Sequence, residues 1–199
     1  MGSYAWPYMH DLEETAVAQL DKNAKYSLTR AEDGRRMEPD FRNGTIRMST
    51  PGDSDNQLWR VAVTGQREVM EAGKEVTVDV VSIESAGTPG KFLAAMDPNL
   101  PTMGGELPFR YMRVVDPCDA KTARLHLTHC TEWYLRPTGA PDSYLPISLI
   151  GVEHPGGKVL VPFTEFWDKN ADGRPVVLSQ WVDLSAPPAE TIWRFRAWG

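Results

Sequence analysis

The chain has 199 residues, enough for one domain with a sizeable core, and is 41% hydrophobic and 24% charged, as is usual for a globular protein. The net charge is −6 and no basic block occurs, so we expect no dedicated nucleic-acid surface. No stretch approaches the ~20 apolar residues of a membrane span. The N-terminus lacks a signal-peptide layout, so we expect a cytoplasmic protein, or one secreted without a recognisable signal.

The first 24 residues differ in pattern from the rest. Asp11 is a candidate N-cap, and Leu12, Ala16 and Leu20 share one helical face. This spacing predicts a short amphipathic helix at about 11–21. We interpret it as an appendage that packs on the main domain, with a lid or a partner-binding arm as the alternative.

From residue 25 to 199 the sequence predicts strand after strand, because short apolar runs alternate with Gly- and Pro-rich turns. A polar connection is expected at 65–74. The expected strands lie at 25–30, 35–38, 45–48 and 58–63, then at 75–83, 90–93, 109–115, 123–129 and 133–135, and finally at 144–151, 158–163, 175–178 and 192–195.

A tryptophan opens the last strand of each group. The three segments are Gln57-Leu58-Trp59-Arg60-Val61, Glu132-Trp133-Tyr134-Leu135 and Ile192-Trp193-Arg194-Phe195. Such repetition indicates three copies of one unit, at about 25–75, 76–143 and 144–199. We expect the three tryptophans to lie in a shared core.

Three such units resemble the β-trefoil, and more narrowly the ricin-B-type lectin pattern, in which Gln-x-Trp opens the last strand. Gln57-Leu58-Trp59 matches this motif, whereas Thr131 and Thr191 replace the glutamine in the other units. The resemblance covers about 25–199. It implies an all-β fold, a β-trefoil of three diverged four-stranded units, here with an added short N-terminal helix.

The resemblance also implies where a sugar would bind. The family places an acidic residue after the second strand's leucine, where it accepts hydrogen bonds from sugar hydroxyls. Glu38 occupies this place in unit one, whereas Ala94 and Val161 stand there in the other units. The first candidate ligand-binding site is therefore in unit one, and it comprises Asp33, Glu38, Asn43 and Gln57.

A second candidate site lies in an aromatic segment that we expect to form a loop in unit three. Flat apolar rings beside carboxylate and amide groups suit a sugar, and they also suit a protein-binding hot spot. The predicted ligand-binding residues there are Phe166, Trp167, Asp168 and Asn170. The irregular stretch at 97–108 is a further candidate contact loop.

Other β-trefoils that this chain resembles are protease inhibitors of the mycocypin, cospin and Kunitz types, which act through surface loops. The partner is therefore expected to be a glycan or a protein surface, possibly that of a protease. A third hypothesis is a small-molecule cyclase or isomerase on this scaffold. No nucleophile elbow or phosphate-binding loop occurs in the sequence, so we expect a binding protein without catalytic residues or a cofactor.

The histidines and cysteines do not predict a metal site. His126 and His129 fall in a predicted strand, where residues three apart face opposite sides. We expect His129 to be partly buried with a backbone partner. Cys118 and Cys130 are too few for a disulfide framework, so we interpret them as free thiols unless neighbouring strands bring them together.

Overall fold

The computed structural model describes residues 20–71, 73–97, 110–151, 158–169 and 173–199, which form thirteen strands and one α-helix. The helix α1 is Ala120–His126. The strands are β1 Lys25–Arg30, β2 Arg36–Asp40, β3 Thr45–Ser49, β4 Trp59–Glu71, β5 Lys74–Ser85, β6 Phe92–Ala94, β7 Arg110–Tyr111, β8 Arg113–Val115, β9 Trp133–Pro137, β10 Ser143–Ser148, β11 Lys158–Lys169, β12 Pro175–Asp183 and β13 Trp193–Trp198.

Six strands close into a barrel. Strand β1 pairs with β4, β4 with β5, β5 with β9, β9 with β10, β10 with β13, and β13 returns to β1, all antiparallel. These are the first and last strands of the three units. A closed ring leaves no barrel edge unpaired, which removes the tendency of open sheet edges to aggregate.

Three hairpins lie at one end of the barrel. They are β2–β3, β6–β8 and β11–β12, and they contact one another through β3–β8, β3–β12 and β7–β12 pairs. A six-stranded barrel with three hairpins in threefold arrangement is a β-trefoil. The fold class predicted from the sequence is therefore confirmed. The predicted N-terminal helix at about 11–21 falls almost wholly outside the described residues.

The three repeated tryptophans occupy equivalent places in the core. Trp59, Trp133 and Trp193 are each 0% exposed. Their indole N–H groups donate to main-chain carbonyls of the second strand in the same unit, at Met37 (3.3 Å), Leu93 (2.8 Å) and Pro162 (3.4 Å). A buried indole needs such an acceptor. The core role predicted for these tryptophans is confirmed.

These three hydrogen bonds also relate the units to one another. In each unit, the indole N–H of the closing tryptophan donates to one main-chain carbonyl, which belongs to Met37, Leu93 or Pro162. These three residues are therefore equivalent positions in the three units. The residue that follows Pro162 is Phe163, so Phe163 is the unit-three counterpart of Glu38 by this measure. The sequence alignment with Val161 was wrong by two residues, yet unit three has no acidic residue at either position.

The predicted polar connection at 65–74 is wrong. Strands β4 and β5 continue as a long hairpin, with paired residues from Trp59 and Ser85 as far as Glu71 and Lys74. Most side chains in the outer part of β4 are exposed, so the apolar alternation that signals a strand is absent there. The main-chain pairing of β4 with β5, which shifts register once between Val63 and Gly65, maintains the hairpin instead.

The strand predicted at 123–129 is also wrong, because residues 123–126 belong to helix α1 and residues 127–129 follow its end without forming a strand. Asp119 is its N-cap, and its side chain accepts a hydrogen bond from the Thr122 amide at 2.7 Å. The helix ends at Leu127, which has a left-handed backbone with φ of 52°. Leu125 and Leu127 are exposed, so their alternation did not mark a buried strand face.

The other predictions about histidine and cysteine can now be assessed. His129 is partly buried and its Nε2 lies 3.2 Å from the Tyr111 carbonyl oxygen, so the predicted backbone partner is confirmed. Cys118 and Cys130 are free thiols, and Cys130 is fully buried. Burial raises the pKa of Cys130 to about 12. Among the described residues, no helix is long and apolar enough to cross a bilayer.

Candidate functional site

A cavity of about 440 Å³ opens where unit one meets unit three. Its walls come from the β2–β3 hairpin, from the segment before β4 and from the start of β12. Main-chain pairing of Arg47 in β3 with Val176 in β12 holds these walls together. The lining residues are Arg35, Glu38, Arg47, Met48, Ser49, Thr50, Gln57, Gly173, Arg174 and Pro175.

Among the described residues that line the cavity, Glu38 supplies a carboxylate, and it is only 8% exposed. Its Oε2 atom accepts a hydrogen bond from the Ser49 hydroxyl. The same atom lies 3.5 Å from Arg47 Nε and 3.5 Å from Arg174 Nη1. A buried carboxylate requires partners of this kind, since desolvation without them is costly. Glu38 therefore orders two arginines from different units around one point.

Arg174 closes this arrangement from the unit-three side. Its Nη1 donates to Ser49 Oγ at 3.1 Å, so Ser49 lies between Arg174 and Glu38. Arg47 also contacts a second carboxylate, with its Nη1 3.7 Å from Asp40 Oδ2. The result is a continuous network of charged groups from β2 and β3 to the start of β12.

Asp40 anchors the outer end of the network. Arg42 donates two hydrogen bonds to it, from Nε to Oδ1 at 2.9 Å and from Nη2 to Oδ2 at 2.8 Å. The hydrogen bonds from the Arg42 side chain hold the pKa of the Asp40 carboxyl well below its ordinary value. The side chain of Asp40 is 3% exposed, whereas that of Arg42 is 56% exposed, so solvent reaches the pair from the arginine side.

We expect Asp40 to make the stability of this hairpin depend on pH. Because the pKa of Asp40 is lower in the folded chain than in the unfolded one, its contribution is present above about pH 4 and is lost as pH falls further. Asp40→Asn should cost about 1–2 kcal/mol of unfolding free energy at pH 7, and less at pH 3.

Urea unfolding at pH 7 and pH 3 measures this difference, with exposed Asp53→Asn as the matched control. An Asp40→Asn penalty equal at both pH values, or no greater than that of Asp53→Asn, would contradict the expectation.

The structure brings together two of the four residues predicted in unit one. Glu38 and Gln57 line the cavity, whereas Asp33 and Asn43 do not. Asp33 lies in the turn after β1, where Arg30 donates to both its oxygens and holds its pKa low. Asn43 lies in the turn between β2 and β3, where its side chain accepts hydrogen bonds from Thr45.

Gln57 borders the cavity but its amide bonds to the main chain. It is 5% exposed, its Oε1 accepts from the Gly52 amide at 2.8 Å, and its Nε2 donates to the Thr50 carbonyl at 3.0 Å. Thr131 and Thr191 are equally buried and bond to the main chain at Cys118 and Pro188. The residue two positions before each closing tryptophan therefore anchors a loop.

The second predicted site lies in a strand and not in a loop. Phe166, Trp167 and Asp168 fall within β11, which extends to Lys169, whereas Asn170 lies outside the described residues. Main-chain pairing joins Lys169 to Pro175, and Pro175 lines the cavity. The end of the aromatic segment is thus next to the element that carries Arg174. Its role in binding stays a prediction.

The sequence analysis missed the arginines. Arg35, Arg47 and Arg174 belong to two units and to three different segments, so no spacing in the sequence associates them. Arg47 could have been found from the predicted hairpin, because in its register Arg47 lies directly opposite Glu38. The described part of the chain holds no group of three or more His, Cys, Asp or Glu side chains that could hold a metal ion.

Searches with the sequence match no protein-family model and no curated protein. Solved structures do match the fold. A designed threefold-symmetric protein, ThreeFoil, is 13% identical over 86% of this chain and 97% of its own, with a TM-score of 0.52.

Two natural proteins match at a similar level. The ricin B-like lectin of Macrolepiota procera, solved with lactose, is 17% identical over 89% of this chain and 98% of its own, with a TM-score of 0.51. An SDF2-like protein of Arabidopsis thaliana is 11% identical over 88% and 93%, with a TM-score of 0.52. The predicted resemblance to β-trefoils that include ricin B-like lectins is confirmed for the fold.

Proposed function

We propose that this protein is a non-catalytic carbohydrate-binding β-trefoil of the ricin-B-lectin-like kind, and that its glycan binds in the cavity beside Glu38. The observation that carries the proposal is the place of Glu38. It is the acidic residue that the lectin pattern assigns to sugar binding, and it borders a cavity of about 440 Å³. The likeness to a lectin solved with lactose supports the same class of ligand.

The chemistry of the cavity suits hydroxyl-rich ligands. A sugar hydroxyl both donates and accepts hydrogen bonds, so it needs acceptors and donors close together. Glu38 supplies carboxylate oxygens, Ser49 a hydroxyl, and Arg174 N–H donors within one small space. The described network contains no activated nucleophile, so the proposal is binding without chemistry.

Binding to a glycan array by the wild-type protein and by Glu38→Gln tests this function. Gln keeps the size of the side chain but removes the negative charge, and charge-assisted hydrogen bonds to hydroxyls are stronger than neutral ones. We expect affinity for the bound glycans to fall at least about tenfold. Thermal unfolding of the variant confirms that it is folded.

Glu68→Gln is the matched control, because Glu68 is an exposed residue of the long β4–β5 hairpin and lies outside the cavity. It should bind like the wild type. Absence of binding to any glycan by the wild type, or equal binding by Glu38→Gln, would refute the proposal. Stoichiometric inhibition of a papain- or trypsin-like protease would then favour the inhibitor hypothesis. Trp167→Ala tests whether the aromatic segment contributes to the same site.

A further inference from the structure

The turn between β2 and β3 contains an asparagine that does not line the cavity. Asn43 is exposed in this turn, at the tip of the hairpin, and Gly44 follows it. The chain has five asparagines, and Asn43 alone is followed by glycine. The Asn43-Gly44 pair is therefore capable of a reaction that is much slower at the other asparagines.

An asparagine side chain can react with the main chain that follows it. The main-chain nitrogen of the next residue attacks the side-chain amide carbon, and a cyclic imide forms as ammonia leaves. A side chain on the next residue hinders this approach, so glycine, which has no Cβ, permits it best. Both reacting groups belong to one chain, and intramolecular reactions gain greatly from proximity. Ring closure of this kind needs no enzyme and no cofactor.

Two donors already bind the oxygen that gains negative charge during this attack. Asn43 Oδ1 accepts hydrogen bonds from the Thr45 amide at 3.0 Å and from the Thr45 hydroxyl at 2.6 Å. Fixed donors of this kind stabilise the charge that develops on a carbonyl oxygen as a nucleophile adds. Thr45 is 6% exposed, so water competes little for its hydroxyl group. The bonds that order the turn therefore also favour the reaction.

The leaving group and the nucleophile differ in their hydrogen bonding. In the described part of the chain, Asn43 Nδ2 donates no hydrogen bond, so ammonia can depart into solvent. The Gly44 N–H group donates to the Asp40 carbonyl oxygen at 2.7 Å, and this bond must open before Gly44 N can attack. Local opening of an exposed turn costs far less free energy than global unfolding, so the bond opens repeatedly in the folded protein.

We propose that Asn43 is a site of spontaneous deamidation in the folded protein, and that Thr45 assists the reaction. Gly44 N forms a bond to Asn43 Cγ, the Cγ–Nδ2 bond breaks, and the Gly44 proton passes through water to the departing ammonia. Water then opens the imide at either carbonyl, which yields aspartate or isoaspartate. This inference goes beyond the proposed function and does not depend on it.

The two products differ in their effect on the hairpin. Aspartate leaves the main chain unchanged, and its carboxylate can accept the same two hydrogen bonds from Thr45. Isoaspartate carries the main chain through the side-chain carbon and so lengthens the turn by a methylene group. The turn fixes the β2–β3 register, in which Glu38 lies opposite Arg47. We therefore expect isoaspartate to lower the stability of the hairpin more than aspartate.

Long incubation of the folded protein at neutral pH, followed by peptide mass spectrometry, tests the inference. The mass of the peptide that contains Asn43 reports the conversion, and chromatography separates aspartate from isoaspartate. We expect Asn43 to react at least about tenfold faster than Asn23, which is exposed in a turn but precedes Ala24. Thr45→Val keeps the branched shape and removes the hydroxyl donor, and it should slow the reaction about threefold or more.

Ala24→Gly is the matched control, because it places a glycine after Asn23. The Asn23 side chain receives no hydrogen bond from the described residues. Asn23 in this variant should react faster than Asn23 in the wild type but more slowly than Asn43, since it lacks the donors that Thr45 supplies. Thermal unfolding confirms that both variants are folded.

Conversion of Asn43 no faster than that of Asn23 in the wild type would overturn the inference. Conversion in concentrated urea but not in the folded protein would also overturn it, because the turn would then protect the Asn43-Gly44 pair. If folded Thr45→Val reacts as fast as the wild type, and Asn23 of Ala24→Gly reacts as fast as Asn43, the assisting role of Thr45 is wrong.

Discussion

Trp133→Ala is expected to lower the free energy of unfolding by about 3–5 kcal/mol. Trp133 is 0% exposed and lies among buried residues of the barrel. Its removal leaves a cavity, and it also deprives the buried Leu93 carbonyl of a hydrogen bond of 2.8 Å. Domains of this size are stabilised by about 5–15 kcal/mol in total, so this loss is a large fraction of the whole.

Urea unfolding measures the effect, and Trp198→Ala is the control for the same chemical change at the surface. Trp198 is 41% exposed, and its described partner is the guanidinium of Arg36, 5.2 Å from the ring centroid. We expect it to cost about 1 kcal/mol or slightly more. If Trp133→Ala is no more destabilising than Trp198→Ala, the core role of the repeated tryptophan is wrong. Trp133→Phe provides a milder variant in case the alanine variant does not fold.

Glu71→Gln is expected to cost about 3–5 kcal/mol, because it removes one charge of a buried ion pair. Glu71 ends β4 and contacts Arg136 of β9, and both side chains are about 5% exposed (4% and 5%). Arginine cannot lose its proton to escape burial. The variant therefore retains a positive charge in the interior without the carboxylate that faces it.

Arg136→Met should also destabilise the protein, because it leaves the buried carboxylate of Glu71 without the guanidinium group that faces it. In the double variant, the decrease in unfolding free energy should be smaller than the sum of the decreases in the two single variants. A double-mutant cycle measures this coupling energy.

Arg67→Met is the control for this ion pair. Arg67 lies four residues before Glu71 and binds Glu132 at 3.1 Å, but its side chain is 42% exposed. An exposed pair contributes about 1 kcal/mol or less. A Glu71→Gln variant as stable as Arg67→Met would show that the pair with Arg136 does not anchor the long β4–β5 hairpin.

The candidate site was predictable in part. Glu38 and Gln57 could be found because the lectin pattern assigns a place to each beside a recognisable motif. Asp33 and Asn43 were grouped with them because they are near in sequence. In the structure each lies in a turn, where Asp33 binds Arg30 and Asn43 binds Thr45. Arg174 could not be found, since it reaches the cavity only through pairing of β12 with β3.

The sequence by itself determined the β-trefoil. Three strands opened by Trp59, Trp133 and Trp193 require a common interior. An indole ring is stabilised by burial of its large apolar surface, and its N–H group then needs a hydrogen-bond acceptor nearby. Regular alternation also located most of the strands. These features are local, and they repeat, so they can be recognised one segment at a time.

Only the tertiary structure decided where the polar segments go. Residues 65–71 form a strand because β5 pairs with them and because Arg136 forms an ion pair with Glu71. Helix α1 forms where Asp119 caps it, although the leucines nearby alternate as in a strand. The lining of the cavity depends on Arg35, Arg47 and Arg174, which come together from two units. Electrostatic partners act through space, and the distances between them are set by the fold and not by their separation along the chain.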